Sequence, residues 1–420
     1  MTRIGRGRQR SCYRRRVDAW VVLVFAFVYL GMMLGEIPGL ALDRTGVALL
    51  GGLALVASER VSPAAAWAAV DVPTVALLFG LMVVSAQFRL GGFYGWVTRG
   101  VARLDVAPPA LLGLVIAVAG ALSAVLANDI VCLAVAPLLV EGCAWRRLDP
   151  VPFLLALACA ANVGSAATLI GNPQNMLIGQ RLHLSFTGYL VDAAVPAALG
   201  LMVVWVVIAS SARGAWDRET PLPALEEPPL DAWQTGKGLA VLAVLLVGFL
   251  VAPIPREVLA LAAAAVLLMS RRMASRDLLG LIDWHLLVLF VGLFVVNFAL
   301  ADSGTLGLAV RAFARAGVDT TRPTVLFPVS AVLSNLVSNV PAVMLLLPQA
   351  THAKAAPSLA LASTLAGNLV VVGSIANIIV LGQAARLGVR ITWRQHARVG
   401  VPVTLITLAV AAAWLALRAR

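Results

Sequence analysis

The residues in this chain with the clearest chemical potential are amides, hydroxyls and one carboxylate that interrupt long apolar stretches. Asn128 and Asp129 lie at the centre of one such stretch. A carboxylate at mid-bilayer depth costs about 2.5–3.5 kcal/mol on the insertion scale, so it marks a functional group by default. Asp129 is therefore predicted to carry a proton or to coordinate a cation. The alternative role is capping of the following helix, and both roles are compatible.

A second polar cluster, Gly171-Asn-Pro-Gln-Asn175, predicts a break in an apolar helix. Pro173 removes a backbone donor and clashes with the preceding turn. A broken helix frees carbonyls at one end and N–H groups at the other, which suit cations and anions respectively. The amides of Asn172, Gln174 and Asn175 add donors and acceptors. The alternative is that these amides hold neighbouring helices together.

The same motifs recur in the same order in the second half of the chain. The pairs are Asp71–Gly80 with Asp283–Gly292, Leu122–Asn128 with Leu333–Asn339, and Thr168–Asn175 with Val370–Asn377. Polar interruptions at matching places of an apolar repeat are typical of secondary transporters. The candidate substrate- or ion-binding residues therefore come from both halves: Ser123, Asn128, Asp129, Thr168, Gly171, Asn172, Pro173, Gln174, Asn175, Ser334, Asn335, Ser338, Asn339, Gly373, Ser374 and Asn377.

Composition places these motifs in a membrane. The chain is 61% hydrophobic and only 12% charged, with a mean hydropathy of +0.93. Soluble domains carry about 25% charged residues, so the chain is predicted to be a multi-pass protein of the cell membrane, with the lipid bilayer as its main partner. The net charge of +12 comes from arginines in the amino-terminal tail and in short loops, which is typical of topology signals and argues against nucleic-acid binding.

The apolar pattern predicts an all-α architecture of two repeats with five spans each. An odd number of spans inverts the second repeat relative to the first. In each repeat, a stretch with a central polar break predicts a re-entrant helical hairpin whose tip stops near the midplane. The predicted spans are 19–35, 45–57, 72–90, 151–178, 187–210, 239–253, 257–270, 283–301, 358–381 and 399–417.

These elements divide the chain into a basic tail, two repeats and one linker. Segments 92–103 and 304–316 are predicted to be amphipathic helices that connect the third span of each repeat to its hairpin. The tail arginines favour a cytoplasmic amino terminus, whereas the loop arginines favour the opposite orientation. The divisions are a tail at 1–18, repeat 1 at 19–210 with its hairpin at 108–142 and broken helix at 151–178, a linker at 211–237, and repeat 2 at 238–420 with its hairpin at 323–350 and broken helix at 358–381.

The sequence offers little support for a metal site, an enzyme or a bound cofactor. The cysteines and histidines show no metal-ligand spacing, and no nucleophile elbow, P-loop or dinucleotide fingerprint is present, so neither an enzyme nor a bound cofactor is expected. No Lys or Arg falls inside the hairpins or broken spans. An anionic substrate would then be held by helix N-termini and by amide and hydroxyl donors, with a coupling ion, H⁺ or Na⁺, as the other partner. A sodium ion is a candidate near Asn128, Asp129 and Asn175.

The combination of Ala127-Asn-Asp-Ile-Val131, Ala161–Asn175 and Ser338-Asn-Val-Pro-Ala342 resembles the ion transporter superfamily. This superfamily includes citrate-transporter-like permeases, arsenite/antimonite permeases, NhaD-type antiporters and divalent anion symporters. The resemblance implies inverted repeats, a scaffold that dimerises and an elevator-type transport domain. It also implies substrate and ion sites at each hairpin tip with Gly171–Asn175 and with Gly373–Asn377. The Gly-Asn-Pro-Gln-Asn motif is most similar to uncharacterised anion-transporter permeases.

The sequence thus predicts a secondary active transporter of a small anion or oxyanion-type solute, driven by an ion gradient. The sodium-coupled symporters have Ser-Asn-Thr at both tips, whereas this chain has Ala-Asn-Asp and Ser-Asn-Val, so the coupling ion is left open. Arsenite/antimonite efflux and sodium/proton antiport are alternatives within the class. A passive channel is the alternative from another class, but it needs one continuous polar path, and here polarity is confined to two clusters.

Overall fold

A computed structural model of the chain describes residues 18–35, 37, 39–212, 216–217 and 229–418. The predicted basic tail therefore lies outside the described residues, except for Asp18. The described part is helical throughout, as predicted. The helices of the first half are α1 (Ala19–Leu34), α2 (Arg44–Ala57), α3 (Pro63–Ala69), α4 (Val72–Leu90), α5 (Phe93–Ala102), α6 (Pro108–Val125), α7 (Asn128–Trp145), α8 (Pro150–Ser165), α9 (Pro173–Arg181) and α10 (Phe186–Ser211).

The second half repeats this order of elements, helix for helix. Its helices are α11 (Ala232–Val251), α12 (Arg256–Leu268), α13 (Ser275–Leu279), α14 (Trp284–Asp302), α15 (Thr305–Arg315), α16 (Pro323–Val337), α17 (Asn339–Leu346), α18 (Ala355–Ala366), α19 (Ile375–Arg386) and α20 (Trp393–Leu417). Two 3₁₀ turns, Leu347–Gln349 and Val371–Gly373, complete the second half. The short helices α3 and α13 are absent from the sequence prediction. The helix α11 begins inside the stretch predicted as linker, because Asp231 caps it.

The first repeated motif has a structural explanation. Asp71 and Asp283 cap α4 and α14, and each carboxylate accepts a backbone N–H bond at 2.9 Å. Gly80 and Gly292, at the other end of the motif, allow close helix crossings. A Cβ on Gly80 would lie 2.7 Å from the backbone of Ala260 in α12, and one on Gly292 would lie 2.6 Å from the backbone of Ala48 in α2. The motif thus starts a span and fits it against the other repeat.

The helices form two packing groups. The first packing group consists of α1, α2, α4, α11, α12 and α14, in which α4 packs on α12 and α2 packs on α14. The second packing group consists of α6 to α10 and α16 to α20, in which α6 packs on α8, α16 on α18, α7 on α19 and α10 on α20. The amphipathic helices α5 and α15 connect the groups, at the positions that the sequence predicts.

Within the described residues, seven helices are long and apolar enough to cross a membrane. Of the remaining predicted spans, those at α1, α2, α8, α18 and α19 are shorter apolar helices, and the one at α12 is a helix of 13 residues. The multi-pass prediction is therefore confirmed at this level, while the inversion of the repeats, the re-entrant path of the hairpins and the elevator movement stay predictions. The seven helices are α4, α6, α7, α10, α11, α14 and α20.

At each predicted hairpin two helices meet at a short turn, and each predicted broken helix is interrupted. The arms α6 and α7 meet at Leu126 and Ala127, and the arms α16 and α17 meet at Ser338, whose φ of 73° gives the sharp turn. The first broken helix is interrupted between α8 and α9, and Pro173 is the first residue after the break. The second is interrupted between α18 and α19, although it lacks a proline there.

Candidate functional site

The first hairpin tip lies directly against the first helix break, and we call these two elements the first half-site (126–129 and 166–172). The backbone N–H of Asn128 donates to the carbonyl of Gly171 at 3.2 Å. The hydroxyl of Thr168 donates to the carbonyl of Ala124 at 2.5 Å. A Cβ on Gly171 would collide with the carbonyl of Ser165 and lie 2.7 Å from that of Ser123. Only glycine fits where the tip and the break meet.

The second hairpin tip and the second break form an equivalent unit, the second half-site (337–340 and 367–374). Asn339 is the first residue of α17, as Asn128 is the first residue of α7. With its amide oriented so that the nitrogen faces the carbonyls, Asn339 donates to Ser363 at 3.0 Å and to Gly373 at 3.1 Å. Both half-sites therefore join a hairpin tip to the glycine carbonyl of a helix break.

A buried side-chain network crosses between the half-sites. The amide nitrogen of Asn162, in α8, donates to the Oδ1 atoms of Asn368 and Asn377 at 2.8 and 3.1 Å. The hydroxyl of Ser374 donates to Asn162 Oδ1 at 2.8 Å. Asn162 belongs to the first broken helix, and its three partners belong to the second. A residue of one repeat thus organises the break of the other.

The reciprocal contact comes from Thr364, the residue of α18 that corresponds to Asn162. Its hydroxyl accepts from Gln174 Nε2 at 3.2 Å and from Asn172 Nδ2 at 3.4 Å. It also donates to Asn175 Oδ1 at 3.4 Å. All of these side chains are buried. In a low-dielectric interior such a network holds a unique geometry, since each lost bond leaves a buried polar group unpaired.

The predicted amides at the breaks are largely occupied by the protein itself. The nitrogen of Asn175 donates to the carbonyl of Thr168 at 3.0 Å and to the hydroxyl of Tyr189 at 3.1 Å. The nitrogen of Asn377 donates to the carbonyl of Gly367 at 2.8 Å. These bonds pair carbonyls that the helix breaks release. Asn175 and Asn377 therefore shape the breaks, and their groups are not free for a solute in this arrangement.

Other predicted residues keep free polar atoms. Asn128 Oδ1 at the first half-site and Ser123 Oγ in α6 are buried without a hydrogen-bond partner among the described residues, and so are Ser334 Oγ and Asn335 Oδ1 in α16. Buried polar atoms are normally paired, so unpaired ones in a cluster indicate groups that serve an ion, water or solute. These four oxygens are therefore candidate binding atoms.

Two acids in the apolar segments, Asp129 and Asp192, have different surroundings. Asp129 is the second residue of α7 and is half-buried, beside Asn128. Asp192, in α10, pairs with Arg418 at 2.6 Å and with Lys354 at 3.9 Å. Asp192 is thus part of an ion-pair cluster that joins α10 to the second repeat, whereas Asp129 stands at the hairpin tip. Only Asp129 is placed to take part in binding at a half-site.

The proposed sodium ligands are only partly available. Asn128 Oδ1 is free, as described above, but Asn175 Oδ1 accepts from Thr364. Among the residues that the structure describes, no group of three or more His, Cys, Asp and Glu side chains is arranged to hold a metal ion. A cation at the first half-site would therefore depend on Asn128, Asp129 and backbone carbonyls.

Sequence reasoning missed the residues that connect the half-sites: Asn162, Thr364 and Asn368. A signal for two of them was present. Asn162 is an amide inside an apolar run, and Thr364 precedes Gly373 by the same number of residues as Asn162 precedes Gly171. Aligning the repeats beyond the polar motifs would have identified this pair. Nothing in the spacing indicated that each would bond to the other repeat.

An all-helical membrane protein with a repeated hairpin and helix break in each half belongs to the transporter class. The chain is a member of the citrate transporter family, whose family model matches residues 22–365. This places it in the ion transporter superfamily, as the sequence motifs indicated.

Relatives and a solved structure support this assignment. An uncharacterised transporter of Mycobacterium tuberculosis is 31% identical over 89% of this chain and 92% of its own length. The silicon efflux transporter LSI3 of rice, Oryza sativa subsp. japonica, is 28% identical over 93% of this chain and 94% of its own. The crystal structure of the Alcanivorax borkumensis YdaH transporter shares the fold, with a TM-score of 0.57 and 16% identity over 94% of this chain and 96% of that one.

Proposed function

We propose that the protein is a secondary active transporter that moves a small anion or oxyanion-type solute across the cell membrane in exchange for, or together with, H⁺ or Na⁺. The observation that carries this proposal is the pair of half-sites, each made of a hairpin tip against a helix break and joined by the network of Asn162 and Thr364. Paired broken helices at a repeat interface are the usual location of solute and ion sites in such transporters.

The two packing groups suggest how access alternates. In this proposal the second packing group carries both half-sites past the first packing group as an elevator, and the first packing group forms a homodimer. Buried side-chain hydrogen bonds connect the two half-sites, which favours their movement as one rigid body. A passive channel would need a continuous polar path instead.

Asp129 is the coupling residue in this proposal. It lies at the first hairpin tip, where the free oxygens of Ser123 and Asn128 are also found. A carboxylate there can take up a proton or share a sodium ion with carbonyl oxygens, and release either on the other side of the membrane. The second tip has Val340 at the corresponding position, so one coupling group is expected per chain.

A neutral hydroxide such as arsenous or silicic acid is the second candidate solute. It is favoured by the relationship to the rice silicon efflux transporter, and by the absence of Lys and Arg among the predicted site residues. Amide and hydroxyl oxygens, like those of Asn335 and Ser334, can hold hydroxyl groups without a formal charge.

The test is transport by purified protein in liposomes. Uptake of radiolabelled citrate, sulfate, phosphate and arsenite is measured with an imposed proton gradient, with a sodium gradient and with neither. We expect saturable, gradient-dependent uptake of at least one solute, and counterflow against its concentration gradient. A preceding thermal-shift screen of the same solutes and of Na⁺ narrows the choice, because a ligand that binds the native state raises its apparent stability. Non-saturable flux without counterflow would identify a channel and contradict the proposal.

A further inference from the structure

An arginine from outside the predicted site reaches the second half-site. Arg44 is the first residue of α2, in the first packing group, and its Nη2 atom lies 3.4 Å from the carbonyl of Val372 in the second break. Its Nε atom is buried and has no hydrogen-bond partner among the described residues. Arg44 also forms no ion pair with any residue that the structure describes. A guanidinium with a buried donor that no described residue accepts from therefore faces the break.

The second break is built to accept an anion beside Arg44. The side chain of Ser374 makes no capping bond to α19, so the first N–H groups of this helix lack a side-chain acceptor. By contrast, Asn172 caps α9 in the first half-site with a bond of 2.9 Å. Val370 and Val372 are 38% and 46% exposed, so the break is accessible on the side of these two residues, while Ser374 at the start of α19 is buried. Helix N-termini and guanidinium groups attract anions for the same electrostatic reason.

The equivalent arginine of the second repeat behaves differently and provides a control. Arg256 is the first residue of α12, the helix that corresponds to α2. Its Nη2 atom donates to the carbonyl of Gly179 at 2.8 Å, in the last turn of α9. The neighbouring Glu257 accepts from Gln180 at 3.0 Å. Arg256 is thus engaged with the end of a helix and has a carboxylate beside it, whereas Arg44 contacts the break itself.

We propose that Arg44 recognises the anionic group of the solute at the second half-site, a carboxylate or an oxyanion. The Nε and Nη atoms of a guanidinium form a planar fork that binds two oxygens of such a group at once. The free N–H groups of α19 supply further donors. The inference rests on the proposed function and deepens it, because it supplies the positive charge that the hairpins and broken helices lack.

The experiment compares ligand binding by purified full-length protein and the variants Arg44→Gln, Arg44→Lys and Arg256→Gln. The probes are citrate, sulfate and inorganic phosphate, which are anions at pH 7, and silicic acid, which is neutral. We expect Arg44→Gln to weaken binding of the anionic probe by about tenfold or more, the usual effect of losing a charge-assisted bond. Binding of silicic acid should change by less than about twofold. Arg44→Lys should retain part of the affinity, and Arg256→Gln should leave it close to that of the unmodified protein.

Several results would overturn the inference and leave the proposed function intact. One is equal weakening of anionic and neutral probes by Arg44→Gln, which would indicate a packing role. Another is silicic acid binding without binding of any of the three anions. If the unmodified protein moves none of the solutes in liposomes, the proposed function itself fails.

Discussion

The two half-sites share one backbone plan but differ in how tightly they are closed. At the first half-site nearly every residue of the break is buried, and Asn172 caps the helix that follows. At the second, Val370 and Val372 are exposed and Ser374 makes no cap. The connecting helices show the same contrast, since α5 buries Phe93 and Tyr94 whereas α15 has no buried residue. The two repeats therefore share a fold, but the residues at their half-sites differ in burial and capping.

This difference indicates that the two equivalent half-sites can bind different ligands. The first half-site has the acid, Asp129, in a closed surrounding, which suits a small ion. The second has Val340 at that position, an accessible break and the nearby Arg44, which suits a larger anionic solute. The bonds from Asn162 and Thr364 connect the two, so that occupation of one can influence the geometry of the other. The predictions below test this division, beginning with the largest expected effect.

Asp129→Asn should abolish gradient-driven transport. Asp129 lies in the first turn of α7, which has no side-chain capping bond, so the fold should persist in the Asn variant while the exchangeable charge is lost. Uptake in liposomes should fall to the level of empty vesicles, with an unchanged melting temperature in detergent. The matched control is Val340→Ala at the equivalent position of the second tip, which should keep the coupling. Full gradient-driven uptake by a well-folded Asp129→Asn protein would show that this residue does not carry the coupling ion.

Gly171→Ala should destabilise the protein far more than Gly373→Ala. The new methyl group at position 171 would meet the fixed carbonyls of Ser165 and Ser123, and overpacking of this kind costs about 1–3 kcal/mol. At position 373 the nearest atom is Asn335 Oδ1, at 2.8 Å, which belongs to a side chain that can rotate away. Melting temperatures of the two variants provide the measurement. Equal losses would show that the second break is as rigid as the first.

Asn162→Ala should weaken the connection between the half-sites more than Thr364→Val. The first change removes the partner of Asn368, Asn377 and Ser374 at once, and each unpaired buried group costs about 1–3 kcal/mol. The second keeps the shape of the side chain and removes one hydroxyl. We expect lower stability for both, and for Asn162→Ala also a loss of the effect of Na⁺ or pH on solute affinity. An Asn162→Ala protein whose solute affinity still responds to the coupling ion would show that the network carries no coupling.

The sequence allowed the elements of both half-sites to be predicted, because helix breakers inside apolar runs leave few other structures. Pro173 and the polar tips marked the breaks and hairpins, and repetition marked their equivalents. The sequence did not allow us to predict which distant residues the site residues contact. That Asn162 bonds to the other repeat, and that Arg44 reaches Val372, depends on how helices far apart in the sequence pack against each other. Local pattern specifies a helix and its ends, whereas contacts between distant helices follow from packing.

The smallest expected effect concerns the caps of the two returning half-helices. Asn172→Ala removes the acceptor of the Asn175 N–H, and loss of such a cap costs about 1 kcal/mol. Ser374→Ala removes no cap, and it leaves Asn162 Oδ1 without its hydroxyl donor, so it should lower stability by a few tenths of a kcal/mol to about 1 kcal/mol. Because the N–H groups of α19 are free for an anion, Ser374→Ala should leave citrate or sulfate affinity within about twofold of the original. Thermal melts measure the stability of both variants, and titration with citrate or sulfate measures their affinity. If Ser374→Ala instead weakened citrate or sulfate affinity well beyond twofold, the Ser374 hydroxyl rather than the N–H groups of α19 would hold the anion, and the assignment of the anion to this helix end would have to be abandoned.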